Sequence, residues 1–181
     1  MWQQINFVPH HETRERTKEY ISALNSAYTN GRVLFFAFKF PNHPVFDWYA
    51  SRNQFHEMGL FEKFWKKPEV QETIPYKLRD VNFYSLEVFK GNSPFMLAGS
   101  LAWCLADGGA YGSNLKPALE IKSLADRAAE EMIQSDYDNS KLYASCTAWS
   151  DFFLGVAWDY SWVLLNQRNR MLQVLMATDT D

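Results

Sequence analysis

Five residues that lie between two aromatic-rich segments could do chemistry together: His43, Asp47, His56, Glu57 and Glu62. Two imidazoles with nearby carboxylates can hold Zn²⁺ or another transition metal, or act as general acid and base. The spacing supports neither use. The histidines stand thirteen residues apart and Asp47 follows His43 by four, which matches no paired-ligand signature such as H-E-x-x-H. His43 sits in the turn sequence PNHP, and His10 and His11 precede a helix. A His43/Asp47/His56 site is kept as the alternative reading, a small-molecule-binding protein, hydrolase or transferase. No residue is assigned as catalytic or metal-ligating, and no cofactor is inferred.

Two further motifs have simpler explanations. The loop DGGAYGSN (107–114) opens a helix, and amides at a helix N-terminus can cradle phosphate. It follows a helix rather than a strand, however, and lacks both the Lys-Ser/Thr of a P-loop and G-x-G-x-x-G spacing. Gly108 reads as a helix stop, and Gly109 and Gly112 as parts of a tight turn. Cys104 and Cys146 stand in the apolar contexts LAWCLAD and YASCTAW, without a neighbouring histidine. Both are expected to be buried free thiols.

The remaining candidate is a protein-binding surface. Tyr111, Asp136, Tyr137, Asp138, Asp179 and Asp181 combine rings with negative charge, in expected loops and at the acidic end TDTD. Rings anchor and charge steers, so such a set suits docking onto a basic partner.

Composition narrows the classes. The formal net charge is −3, from 18 basic and 21 acidic residues, and the basic residues are scattered. That argues against a nucleic-acid binder, which needs a basic face. No stretch reaches the ~18 apolar residues of a membrane span, and MWQQINFVPHH lacks the run of a signal peptide. A cytoplasmic protein is expected. The load of 7 Trp, 9 Tyr and 14 Phe supplies core volume first and contact surface second.

These side chains must be positioned by helices and strands in one domain spanning residues 1–181. ETRERTKEYISALNSAYTNG places Tyr20, Ile21, Leu24, Ala27 and Tyr28 on one helical stripe, with Gly31 as its stop. RVLFFAFKF (32–40) is apolar on both faces, as a strand covered on both sides must be. LFEKFWKK groups Leu60, Phe61, Phe64 and Trp65 on a helical face, while 68–79 reads as irregular. VNFYSLEVFKG (81–91) alternates as a strand. Ser93 and Pro94 open a helix with Met96, Leu97, Leu101, Cys104 and Leu105 on its buried face, where Gly99 would admit a close neighbour. A second helix opens at Asn114 or Leu115. KLYASCTAW (141–149) alternates again. The last two strands carry Trp158, Tyr160, Trp162 and Leu164, then Leu172, Val174, Met176 and Thr178, across the turn NQRNR. The expected class is α+β, a mostly antiparallel sheet of about five strands with three or four helices packed on it.

The closing stretch WDYSWVLLNQRNRMLQVLMATDTD resembles the C-terminal hairpins of small bacterial proteins, some of which look like immunity proteins of interbacterial toxin systems. The resemblance covers about 24 residues and carries over no functional residue. It implies a cytoplasmic protein that binds and neutralises a toxin without catalysis. A non-enzymatic protein-binding role is therefore the favoured expectation. The alternatives are the histidine site and a homo-oligomer subunit with a structural role.

Overall fold

The computed structural model describes residues 1–83, 88–111 and 116–181. In chain order its elements are β1 (Val8–Pro9), α1 (Glu15–Ala27), β2 (Arg32–Lys39), α2 (Pro44–Ala50), α3 (Leu60–Trp65) and α4 (Pro68–Thr73). They continue with β3 (Lys90–Asn92), α5 (Leu97–Asp107), α6 (Ala118–Ile133), β4 (Ser140–Ser145), β5 (Tyr160–Asn166) and β6 (Met171–Thr178). Short 3₁₀ turns occupy Pro94–Met96 and Tyr137–Asn139. The strands form one sheet in the order β1-β2-β6-β5-β4-β3, and every pairing is antiparallel. This is the expected α+β class with an antiparallel sheet.

The two last strands lie at the middle of that sheet, and every residue of both is buried. Their period-two alternation supplies two apolar faces. Tyr160, Trp162, Leu164, Leu175 and Ala177 face α1, α5 and α6. Val163, Leu165, Leu172, Val174 and Met176 face α2, α3, α4 and the aromatic segment around Trp149, Phe152 and Phe153. Both faces of the sheet are thus covered. Most of the large rings lie in the second core, where Trp65 stacks on Trp149 at 4.2 Å and Phe61 on Phe89 at 4.5 Å.

Several local expectations change. Residues 68–73 are helical, not irregular, because Pro68 takes the first helical position and its fixed φ suits a helix start. The strand expected over 81–91 includes residues 84–87, outside the described residues, and β3 itself begins at Lys90. Asn114, Leu115 and Gly112 also lie outside the described residues, and α6 is capped by Pro117. β4 ends at Ser145, before Cys146. Nothing lies within 4 Å of a Cβ placed on Gly99, which is exposed and has no neighbouring element packed against it. No helix among the described residues is long and apolar enough to cross a membrane.

The end of β6 is closed by two buried carboxylates. Asp159, just ahead of β5, accepts hydrogen bonds from the amides of Gly155 (2.6 Å), Val156 (3.0 Å) and Leu154 (3.4 Å), and from the Thr178 hydroxyl at 2.6 Å. Asp179, just past β6, accepts from the amides of Asn30 and Ala110, both at 2.9 Å. A buried carboxylate is tolerated only when such donors replace its water. Two glycines make room for this closure. A Cβ on Gly31 would overlap the Thr178 carbonyl, and one on Gly109 would overlap the Asp179 carboxylate.

Gly31→Ala and Gly109→Ala should therefore each destabilise the fold by about 1–3 kcal/mol through overpacking. Gly99→Ala, on an open helix face, should be neutral or stabilise by up to about 1 kcal/mol. The midpoints of urea unfolding check all three.

Candidate docking surface

Tyr137 is positioned by the end of α6. Gln134 and Ser135 both take left-handed φ of 58°, which stops the helix and turns the chain back toward β4. The freed side chains then close on the helix. Ser135 and Tyr137 each donate a hydroxyl hydrogen bond of 2.7 Å to the Glu130 carboxylate. Asp136 accepts from the Asn139 and Asn166 side-chain amides at 2.6 and 3.1 Å, with Arg168 at 3.6 Å. This network holds the turn rigidly over the β5–β6 hairpin.

Phe95 comes from a separate turn. The Ser93 hydroxyl accepts from the Phe95 amide at 3.4 Å, Pro94 fixes the first position, and a short 3₁₀ turn projects Phe95 and Met96 outward. The Phe95 ring lies flat on Tyr137, centroids 4.6 Å apart and planes 10° from parallel. Phe95 remains 72% exposed and Met96 59% exposed. The result is a braced apolar projection bordered by Glu130, Asp136 and the exposed Asp138. Hydrogen bonds from Ser135 and Tyr137 hold the Glu130 carboxyl below the usual carboxylate range. Burial raises Asp136, but the amides of Asn139 and Asn166 and the Arg168 charge outweigh it and leave the carboxyl lowered. Both groups stay anionic where ordinary carboxylates begin to protonate.

The six residues read from the sequence as a partner surface do not form one patch. Asp136, Tyr137 and Asp138 lie together beside the β5–β6 turn. Tyr111 (61% exposed) and Asp181 lie at the other end of the sheet, next to the Asp179 contacts. The length of β6 separates the two ends, roughly 23 Å at the rise of a strand. Asp179 is fully buried and its carboxylate already serves Asn30 and Ala110, so it is a core residue and not a contact. Phe95 and Met96 were missed. Met96 was expected on the buried face of the helix, yet Leu97, Leu101, Cys104 and Leu105 alone make that stripe. Their i, i+4, i+7, i+8 spacing leaves residues 95 and 96 outside it, which was the available signal.

The histidine set is dispersed. His43 caps α2: its Nδ1 accepts from the Val45 amide at 3.2 Å, so Nε2 carries the proton and donates to Gln4 Oε1 at 2.8 Å. Asp47 pairs with Arg170 at 2.5 Å, and Glu62 with Lys66 at 2.8 Å. Glu57 is exposed. His56 alone lines a cleft of about 560 Å³, with Asn53, Asn92, Ser93, Lys141 and Tyr143. Among the described residues no three His, Cys, Asp or Glu side chains are grouped to hold a metal ion.

The thiols differ from each other, Cys104 being the buried free thiol that was expected and Cys146 not. Cys104 is buried 3.1 Å from the Tyr28 hydroxyl, and burial pushes its thiol up to about 12. Cys146 is exposed, because β4 has already ended. With this geometry in place, comparison with known proteins adds no identification: no family model and no curated protein sequence matches the chain.

The folded protein should therefore show one thiol reactive toward a chromogenic disulfide reagent at neutral pH, and two in denaturant. Cys146→Ser should remove the native reaction, whereas Cys104→Ala should leave it unchanged.

Proposed function

We propose that this chain works by binding another protein, with the Phe95–Tyr137 stack as its anchor and the surrounding carboxylates as its guide. The observation that carries this reading is the exposure of a pre-set aromatic pair. Phe95 keeps most of its surface in water although it is fixed by Ser93, Pro94 and the ring beneath it. A rigid, exposed ring loses little conformational freedom on contact, which is the property of an interface hot spot. The border of Glu130, Asp136 and Asp138 favours a basic partner and speeds its approach.

The reading is of a non-enzymatic, cytoplasmic protein. Two free thiols are compatible with a reducing compartment. The resemblance of the C-terminal hairpin to bacterial immunity proteins makes a toxin from the same source the first partner to try. In that role the chain would neutralise the toxin by covering it.

The test is purification of the tagged full chain from its source cells, followed by titration of the recovered partner in pure form. Phe95→Ala and Tyr137→Ala should each weaken binding at least about tenfold, as expected of anchors, with unchanged circular dichroism. A partner that binds both variants as tightly as the parent contradicts the proposal, as does failure to recover any stoichiometric partner. Affinity should also persist as pH falls through roughly 4, the ordinary carboxylate range, and be lost only below it. That is the sign required by the lowered Glu130 and Asp136.

A further inference from the structure

We propose that the outer edge of β2, at Val33–Phe35, is a second binding site that takes an extended segment of another protein as an added strand. The two surfaces are independent, since Phe95 and Tyr137 lie toward the β4 side of the sheet and β2 lies across β5 and β6 from them.

The argument starts from backbone bookkeeping. In an antiparallel sheet the N–H and C=O of alternate residues point to opposite neighbours. On β2 the odd-numbered residues point away from β6. The Val33 amide donates outward to Asn25 Oδ1 at 2.9 Å, and the Ala37 carbonyl accepts outward from His10 at 2.8 Å. β1 covers only the far end, pairing Val8 with Lys39 and Pro9 with Phe38. The Phe35 N–H, the Phe35 C=O and the Val33 C=O are left on the open edge, and nothing among the described residues bonds to them. Leu34, Phe35 and Phe36 are all partly exposed there. An open apolar edge of this kind is a template for strand pairing.

Beside the edge runs a groove of about 560 Å³, between β2 and the Ile21–Ser26 face of α1. It lies where alternate side chains of an added strand would enter. Ile21 and Phe35 give it an apolar floor, and Lys18 is the one charged residue lining it among the described residues. Lys18 is exposed, and Arg32 stands exposed at the start of the strand. The occupant that fits is a short strand with alternating apolar residues and an acidic side chain near Lys18.

A second copy of this chain fits less well. A two-fold pairing centred on Phe35 would set Val33 against the partner's Ala37, whose open edge His10 already occupies through its bond to the Ala37 carbonyl. One centred on Leu34 would need the Val33 amide, which Asn25 holds. Each register satisfies only two backbone bonds. A short foreign strand can bond the Phe35 N–H, the Phe35 C=O and the Val33 C=O together.

The probe is a phage-displayed library of random twelve-residue peptides panned on the full chain. The enriched peptide is then synthesised and titrated by fluorescence anisotropy. It should alternate apolar residues and carry Asp or Glu. Phe35→Pro removes the outward N–H while leaving the β6 ladder intact, and should weaken binding at least about tenfold. Lys18→Glu, on an exposed position, should weaken it severalfold even if Phe35→Pro folds poorly, whereas Phe95→Ala should change nothing. The proposal is overturned if no peptide is enriched, or if the enriched peptide binds the Lys18→Glu variant and a folded Phe35→Pro variant as well as the parent. It is also overturned if only Phe95→Ala weakens binding, or if the chain forms a dimer that Phe35→Pro disperses.

Discussion

The burial of β6 on both faces and both edges is the constraint from which the rest of the structure follows. A strand in that position can carry no charge along its length, and Met171–Thr178 carries none. It needs a layer of helices on each side, and the chain supplies α1, α5 and α6 on one and α2 to α4 on the other. It also needs partners on both edges. One is β5, made by a short hairpin, and the other is β2, which lies more than a hundred residues earlier in the chain. Folding must therefore bring the two ends of the sequence together before the sheet is complete, a topology of long-range contacts that slows folding.

The same constraint explains the closing carboxylates. A strand that ends inside the molecule leaves its last polar groups without water, so they must find partners within the chain. Asp159 and Asp179 meet this need from either side of Thr178, one bonding a tight turn and the other bonding two amides from distant segments. Gly31 and Gly109 are small because this closure passes against them. The acidic terminus is thus divided by one residue of sequence: Asp179 is interior structure and Asp181 is solvated.

Much of this was legible beforehand. The alternation of Tyr160 to Leu164 and of Leu172 to Met176 and the two-sided apolarity of residues 32–40 are local signals that the structure bears out, whereas Trp158 lies in the turn before β5 and Ser93 and Pro94 open a short 3₁₀ turn ahead of the helix. The misses share a cause. Asp179 looks like a frayed tail because its donors stand 149 and 69 residues away. The Phe95–Tyr137 stack joins two turns 42 positions apart, which no window of sequence contains. Cys146 stands in an apolar context, YASCTAW, yet lies just past the end of β4 and is exposed. Of the residues picked out as a partner surface, Asp136, Tyr137 and Asp138 stand where the structure presents rings and charge together.

The central claim is that contact with a protein partner belongs to the Phe95–Tyr137 surface and not to the acidic end of the chain. Hydrogen–deuterium exchange on the free chain and on its complex with the recovered partner tests this most directly. The account predicts new protection over residues 93–97 and 135–140, with residues 176–179 already protected in the free chain and unchanged on binding. New protection confined to residues 176–181, with 93–97 and 135–140 exchanging as before, would contradict it.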